Sequence, residues 1–548
     1  RLPNGKVDRR NLPPPTSLVN SYQYVPPETA SEKALALIWA KVLNLPVEKI
    51  GCNDIFFDLG GHSLLAIKVV SLLKQEFSLE LSIKSFYNQH TLAECAQQAV
   101  AITALPRSVE QVIDEYEHPV LPHHYRAFER NNRNHYNLTS LLEINTGLQR
   151  EANRAMRALM ESHDALRSVW GKKDNDWCVT VQSIHAMHDW FEEVSVPVCS
   201  DEERCAAIEA IGNYYQRSLD IEACTVKLVY IHLQGAARDR ILFIFHHLVM
   251  DAYSFYIFTE DFVSLFISAV TDKSLVLPHR SDTVAKVAEH VVAYAAHKAL
   301  RTFDYWSSLP WHQLKSPTID HPAWDLAGAM EEIAPAVTAS NLNEYYSNLF
   351  LARVKNSGYS EIHYLILVVV LAYKKWSGSE QVFFTLINNG RYYPDADLDL
   401  TRTIGWLSQY SATFIKTDEF GSVAQALHSI KIQLDAMAGD GLSFACLKHM
   451  VNDKQVKAKM DKLPAVQLEL NYMPQILTAE YVKGNGVRRM LAKAHEPCGD
   501  NDGLMKKDVT PVGIVSFVEG KLNFSWSYSG VMYTDTSMKT FVAMQTQV

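Results

Sequence analysis

The sequence predicts a small all-α domain followed by a long α/β domain, on the strength of three observations. The chain has 548 residues, too many for one hydrophobic core. Apolar residues recur at helical spacing between residues 31 and 101, which indicates a compact four-helix bundle. From residue 115 to residue 548, strand-like and helical patterns alternate, and this length suits two subdomains, each a sheet covered by helices.

The composition is typical of a globular protein, and we expect neither a nucleic acid nor a membrane as its partner. The net charge is −9, whereas binding to phosphates needs clustered Lys and Arg. The strongest apolar run, "ILVVVLA" at 366–372, is too short for a membrane span and suits a buried strand or helix. Eight cysteines are scattered without a CxxC pair, so we predict no metal site and expect free thiols in the cytoplasm.

The N-terminal residues read as the end of one domain and a linker. The opening "RLPNGKVDRR" has no initiator Met and no apolar core, so we expect the chain to be a fragment of a longer protein. The following "NLPPPTSLVNSYQYVPPETAS" is rich in Pro, Ser and Thr, and this composition predicts an extended linker.

Two helices of the bundle can be predicted in some detail. The first comes from "TASEKALALIWAKVLN", with Thr29 or Ser31 as its N-cap. Its apolar face has helical spacing and consists of Leu35, Ile38, Trp39, Val42 and Leu43. A second amphipathic pattern begins near Ser63, directly after Gly60 and Gly61. From the residues alone, Ser63 is either an N-cap or a hydroxyl that an exposed turn presents to an enzyme.

The residues around Ser63 resemble a known motif. The stretch "DIFFDLGGHSLLAI" is similar to the carrier-protein motif of nonribosomal peptide synthetases. The resemblance implies that Ser63 carries 4′-phosphopantetheine, added by a phosphopantetheinyl transferase, and that this arm holds an aminoacyl or peptidyl thioester. The upstream "NGKVDRRNLP" resembles the last motif of an adenylation domain, which implies that Lys6 belongs to that domain's active site.

A histidine pair follows a predicted strand in the large domain. In "FHHLVMDAYSF", His246 and His247 end the strand "ILFIFHH", and Asp251 follows after three intervening residues. Taken alone, the two histidines could simply end a strand. After a carrier domain, the stretch resembles the HHxxxDG motif of the condensation superfamily, with Ala252 in place of the glycine. The resemblance implies two chloramphenicol-acetyltransferase-like lobes in a V, with His247 facing a tunnel and Asp251 orienting the loop.

Four other stretches resemble epimerisation domains of the same superfamily. They are "LPHHYRAFERNNRNHYNLTSLLE" (121–143), "SHDALRSVW" (162–170), "TRTIGWLSQYSATF" (401–414) and "LELNYMPQ" (468–475). In the first stretch, His123 and His124 replace the usual Ile-Gln. The third is close to an "RTVGWFT" segment that condensation domains lack. The large domain is therefore most similar to epimerisation domains.

One departure from the epimerisation pattern bears on activity. Those domains carry an "EGHGRE" motif whose first glutamate is the second acid/base, and this chain reads "INNGRY" there. Ile387 stands in place of the glutamate, and Asn389 in place of the motif's histidine. Because epimerisation removes a proton from one face of the α-carbon and returns one to the other, each face needs a titratable group. Tyr392 is the candidate replacement.

Three functions for the large domain therefore stay open. It is an epimerisation domain that is weak or inactive, a condensation catalyst in which His247 positions the attacking amine, or a non-catalytic platform. The platform would resemble the interface domains thought to recruit β-hydroxylases, as tailoring enzymes acting in trans, to carrier-bound amino acids. In each case the expected partners are the upstream adenylation domain and neighbouring synthetase modules.

The resemblances also imply a division of the chain into six segments. These are the end of an adenylation domain at 1–16, a linker at 17–30, a peptidyl carrier protein at 31–101, a linker at 102–114, an N-lobe at 115–310 and a C-lobe at 311–548.

Overall fold

The protein consists of two compact units, Arg1–Pro106 and Arg107–Val548, in a computed structural model. The structure describes residues 24–43, 45–56, 59, 61, 63–81, 86, 91–101, 115–130, 132–274, 277, 281–315, 336–355, 357–393, 396, 398–473, 491–499, 510–518, 520–530 and 532–547. The finer boundaries given above stay predictions.

The first unit is helical, with one short two-stranded ladder. Its described helices and strands are α1 (Ala30–Leu43), α2 (Ser63–Phe77), β1 (Leu79–Glu80), α3 (Leu92–Gln98) and β2 (Val100–Ala101), and β1 pairs antiparallel with β2. Thr29 caps α1, because its hydroxyl accepts a hydrogen bond from the Glu32 N–H at 3.2 Å and the Glu32 carboxylate accepts one from the Thr29 N–H at 2.9 Å. The predicted helix around Trp39 is confirmed.

Aromatic rings form the centre of this small core. Trp39, Phe56 and Phe86 are each at most 2% exposed, with ring centroids 5.1–6.1 Å apart. Such edge-to-face contacts add to the free energy gained by burying the rings. The unit therefore holds the start of α2, where Ser63 lies, against a packed interior.

The second unit contains most of the strands. In chain order, the described strands are β3 (Tyr116–Pro119), β4 (Asn137–Asn145), β5 (Ser168–Lys173), β6 (Asp176–Val181), β7 (Phe191–Val196), β8 (Val226–Leu233), β9 (Arg238–His246), β10 (Ala336–Asn341), β11 (Gln381–Asn388), β12 (Gln409–Lys416), β13 (Leu468–Met473), β14 (Leu491–Lys493), β15 (Val512–Val518) and β16 (Lys521–Tyr528).

The described helices of the second unit pack against its sheets or against one another. They are α4 (Tyr125–Phe128), α5 (Gln149–Ser162), α6 (Asp201–Arg217), α7 (Ala252–Val270), α8 (Val284–His297), α9 (Phe303–Ser308), α10 (Glu344–Lys355), α11 (Glu361–Ser377), α12 (Val423–Asp435), α13 (Leu442–His449), α14 (Lys454–Met460) and α15 (Asp535–Gln545). Among the described helices, none combines the length and the apolar character that a bilayer span requires.

Two mixed sheets organise this unit within the described residues. One has the strand order β14-β4-β9-β8-β7, and the other has the order β10-β16-β15-β13-β11-β12. In the first sheet the antiparallel pair β8–β9 is almost completely buried, in keeping with the unbroken apolar run at 241–245 in β9. The predicted strand "ILFIFHH" matches the end of β9, and the predicted run 366–372 lies in the buried helix α11.

Two connections join the predicted lobes. Strand β14 comes late in the chain, yet Leu491–Lys493 pairs antiparallel with β4 in the first sheet. Helix α8 comes before residue 310, but its buried residues share a hydrophobic cluster with Phe383 and Phe414 of the second sheet. Both connections bring the two sheets into one compact unit around the end of β9.

Candidate functional site

His246 has a structural place at the end of β9. Its ring is fully buried, Nε2–H donates to the Arg133 carbonyl at 2.8 Å, and Nδ1 accepts from the Leu248 N–H at 3.2 Å. Both nitrogens are therefore used in the neutral form, and burial lowers the pKa of His246 to about 3. The ring fixes the turn that follows the strand.

His247 is the partly exposed residue of this pair. Its backbone N–H donates to the Tyr136 carbonyl at 2.7 Å, while Nδ1 is buried and makes no hydrogen bond with the described residues. Burial lowers the pKa of His247 to about 4, and the charges of Arg130 and Arg126 act in the same direction. The imidazole is therefore neutral at physiological pH.

Aromatic side chains surround His247. The Tyr136 ring stacks on it at 4.5 Å, and the Trp406 ring flanks it at 4.5 Å. The Trp406 ring also contacts the rings of His123 and Tyr410. The Nε2–H of His123 donates to the Trp406 carbonyl at 2.6 Å. Tyr136 directly precedes β4 of the first sheet, and Trp406 lies shortly before β12 of the second sheet. His247 therefore lies between segments that lead into the two sheets. The tunnel itself stays a prediction.

The side chains around His247 are called the pocket below. Asp251 is buried, and its carboxylate serves the loop that follows His247. It caps α7 by accepting from the Ser254 N–H, and its carboxylate forms a two-pronged ion pair with Arg391 at 3.0 and 3.1 Å. It also accepts hydrogen bonds from the N–H groups of Leu407 and Ser408, each at 3.0 Å. Burial alone would raise the pKa of Asp251, but Arg391 and the hydrogen bonds outweigh it and hold the pKa at about 2. Asp251 therefore links the loop that follows His247, here called the histidine loop, to the segment that carries Trp406.

We expect acid to weaken the ion pair between Asp251 and Arg391. The pKa of Asp251 falls from an ordinary 3.8 to about 2 on folding, so its contribution to stability is complete above pH about 4. It is lost as the pH falls from about 4 to 2, at a cost on the order of 2 kcal/mol. Thermal unfolding between pH 5 and 2 measures this, and Asp251→Asn should flatten the acid slope. An unchanged slope in that variant would contradict the prediction.

The glycine before Arg391 is required by close packing. Gly390 has φ +63°, and a Cβ at this position would lie 1.6 Å from the Leu407 carbonyl oxygen. Only glycine fits both the left-handed backbone and this contact. Gly390 in "INNGRY" therefore has a structural role, because it allows the next residue, Arg391, to pair with Asp251. The motif comparison alone did not reveal this role.

Ile387 lies on the second sheet, on the same face as Tyr410. The two residues are directly paired across β11 and β12, and Asn471 of β13 is the partner of Ile387 on its other side. Glu469, buried on the same face, forms a 2.5 Å ion pair with Arg126, and the Arg126 guanidinium lies 4.4 Å from the centre of the Tyr410 ring. An isoleucine and an arginine-paired carboxylate therefore occupy the region where the epimerisation pattern has a glutamate.

The remaining predicted residues lie elsewhere. Tyr392 is 38% exposed on the segment after Gly390, and its role as second acid/base stays a prediction. Lys6 is outside the described residues. Tyr410 and Arg391 were missed from the sequence, because each is linked to His247 or Asp251 only through contacts across the sheet and between segments.

Ser63 is the first residue of α2, and Gly61, two positions before it, is closely packed. A Cβ on Gly61 would lie 2.3 Å from the Phe56 ring, and the Gly61 N–H donates to the Phe56 carbonyl at 3.0 Å. A helix N-terminus favours a negative charge, as on the phosphodiester of a pantetheine arm. The position of Ser63 at a helix start therefore fits 4′-phosphopantetheine.

Family models match both units of the chain. Residues 33–98 match the model described as "Phosphopantetheine attachment site", and residues 126–548 match the "Condensation domain" model. The attachment domain implies 4′-phosphopantetheine as the cofactor.

Two relatives are bacterial peptide synthases. A linear gramicidin synthase protein of Brevibacillus parabrevis is 30% identical over 554 residues, 98% of this chain and 10% of that protein. Surfactin synthase subunit 1 of Bacillus subtilis (strain 168) is 26% identical over 550 residues, 98% of this chain and 15% of that protein. The chain thus spans about a tenth to a seventh of the length of these relatives.

Solved structures share the fold of the second unit. The epimerization domain from the third module of tyrocidine synthetase B matches with a TM-score of 0.67 and 21% identity, over 80% of this chain and 97% of that one. The first condensation domain of the calcium-dependent antibiotic synthetase matches with a TM-score of 0.54 and 14% identity, over 78% of this chain and 95% of that one. The predicted fold class is confirmed, and the chain belongs to the condensation-domain family, with a phosphopantetheine attachment domain ahead of its condensation-type domain.

Proposed function

We propose that the chain holds an aminoacyl or peptidyl thioester on Ser63 and that the condensation-type domain receives this thioester beside His247 without inverting its α-carbon. When attached, phosphopantetheine supplies the thiol of that thioester. The domain then serves as a platform from which a tailoring enzyme acting in trans modifies the tethered amino acid. A phosphopantetheinyl transferase, an adenylation domain and neighbouring synthetase modules are the other proposed partners.

The observation that carries this proposal is Ile387. Inversion at the α-carbon needs one group to remove a proton and another, on the opposite face, to return one. His247 is neutral and partly exposed, so it can serve one face. Ile387 occupies the family position of the second group, and its hydrocarbon side chain transfers no proton.

The nearby carboxylates do not replace the lost glutamate. Asp251 is 1% exposed and is held by Arg391, and Glu469 is 4% exposed and is held by Arg126. The Asp251 carboxylate is a weak base, because protonating it would break its buried pair with Arg391. Both carboxylates therefore support the structure around the pocket.

We expect the chain, loaded with an L-aminoacyl group, to yield no more than a trace of the D-epimer. General acid–base groups contribute about 100- to 10,000-fold to a rate, so the loss of one lowers epimerisation by at least about 100-fold. The measurement is hydrolysis of the thioester after incubation, followed by chiral chromatography. Ile387→Glu should increase the D-epimer, whereas Ile387→Gln, which has similar size but no carboxylate, should not.

A near-equal mixture of L and D forms from the wild-type chain would contradict the platform.

A second candidate function is peptide-bond formation, which the retained arrangement of His246, His247 and Asp251 favours. Supplying an acceptor aminoacyl thioester to the loaded chain and analysing the products for a dipeptide separates it from the platform. For the platform, a tailoring enzyme should bind His247→Ala as well as it binds the wild type.

A further inference from the structure

Tyr410 brings a hydroxyl-bearing ring to the face that lacks the family glutamate. It is the direct cross-strand partner of Ile387 between β11 and β12. Directly paired residues of antiparallel strands project from the same face, with Cβ atoms about 4.5–5.5 Å apart. A protic side chain therefore stands beside Ile387, contributed by the neighbouring strand.

Ring contacts connect Tyr410 to His247. The Tyr410 ring lies 5.8 Å from Trp406, whose ring is 4.5 Å from His247. The hydroxyl of Tyr410 is hydrogen-bonded to Tyr136, whose ring stacks on His247. Tyr136, His247, Ile387 and Tyr410 are each partly exposed, whereas Trp406 is fully buried. Tyr136 and Tyr410 therefore bring two hydroxyls close to one another beside the aromatic group that contains His247.

The electrostatics of Tyr410 make it a hydrogen-bond donor and not a base. Burial, and to a smaller extent the neighbouring Tyr136, raise the pKa of Tyr410 well above its usual value of 10. The phenol therefore keeps its proton at neutral pH. The guanidinium of Arg126, which is held by Glu469, lies 4.4 Å from the ring centre and fixes its position.

We propose that Tyr410, together with Tyr136, forms a hydrogen-bond donor site for the carbonyl oxygen of the aminoacyl thioester bound beside His247. This inference rests on the proposed function, because it requires the tethered thioester to reach the pocket. The site holds the carbonyl in place and breaks no bond. Its ligand class is a thioester of an α-amino acid, recognised at the carbonyl group that every such substrate shares.

The test is isotope-edited infrared spectroscopy of the full chain, with Ser63 loaded with an aminoacyl group that is ¹³C-labelled at the thioester carbonyl. A carbonyl that accepts hydrogen bonds absorbs at a lower frequency than one in an apolar site. We expect the wild type to show a low-frequency carbonyl band and Tyr410→Phe, which keeps the ring and removes only the hydroxyl, to lose it. Tyr136→Phe should weaken the same band. Tyr345→Phe makes the identical change on a tyrosine that is 71% exposed and should leave the band unchanged.

The outcomes separate this inference from the proposed function. A wild-type band at the frequency of the same thioester in water overturns both, because the carbonyl then lies in solvent. A wild-type band at the higher frequency of an apolar site overturns the donor site alone. A band that persists in both Tyr410→Phe and Tyr136→Phe overturns the donor site alone, since the thioester still reaches a donor. Loss of the band in Tyr345→Phe with retention in Tyr410→Phe also overturns it. Equal melting temperatures of the variants exclude unfolding as the cause of a lost band.

Discussion

Replacing Arg391 by leucine is expected to destabilise the condensation-type domain by about 3–5 kcal/mol, because it leaves the Asp251 carboxylate buried without its counter-charge. Both members of the pair are 1% exposed in their side chains. Arg391 also donates to the Ser254 hydroxyl at 2.8 Å and to the Asn389 carbonyl at 2.7 Å. Its removal therefore frees the histidine loop from the segment around Trp406.

Chemical unfolding of the full chain measures this loss, and hydrogen exchange of peptides containing Asp251 and Leu407 locates it. Arg133→Leu is the matched control, because Arg133 pairs with Glu222 at 2.7 Å but the two side chains are 43% and 52% exposed. An exposed pair contributes about 0–1 kcal/mol. We expect the double variant Asp251→Leu/Arg391→Leu to lose less than the sum of the single changes, since no charge is left unpaired. Equal losses for Arg391→Leu and Arg133→Leu would refute the structural role.

Replacing Ser63 by alanine is expected to abolish attachment of phosphopantetheine completely. The proposed nucleophile is the hydroxyl at the first residue of α2, and alanine has no group that can form the phosphodiester. Without the arm there is no thioester, so every proposed activity of the chain is lost. Incubation with coenzyme A and a phosphopantetheinyl transferase, followed by intact-mass analysis, measures the attachment.

Ser31→Ala provides the comparison, because Ser31 also lies in the first turn of a helix of the same unit. This variant should gain one arm, as the wild type does. Addition of one arm to Ser63→Ala would assign the modification to another residue and remove the basis of the proposed function.

Local patterns in the sequence were sufficient for the parts of the protein that depend on near neighbours. The helical spacing around Trp39 predicted α1 and its buried face, and the apolar run "ILFIFHH" predicted the end of β9. Motif spacing identified the carrier unit and located His247 directly after a strand. These features were predictable because a helix repeats every three to four residues, a strand end is marked by a change of polarity, and a motif lies within one short segment.

The tertiary structure alone decided the surroundings of His247. Asp251 and Arg391 are 140 positions apart, Arg126 and Glu469 are 343 apart, and both pairs form only when separate segments pack together. The sequence drew attention to Tyr392 because it follows the altered motif directly, whereas strand register places Tyr410 beside Ile387. Shifting the register of β12 by one residue would turn Tyr410 to the opposite face of the sheet. Register and packing arise from the whole core, so no short stretch of sequence encodes which side chains meet at this pocket.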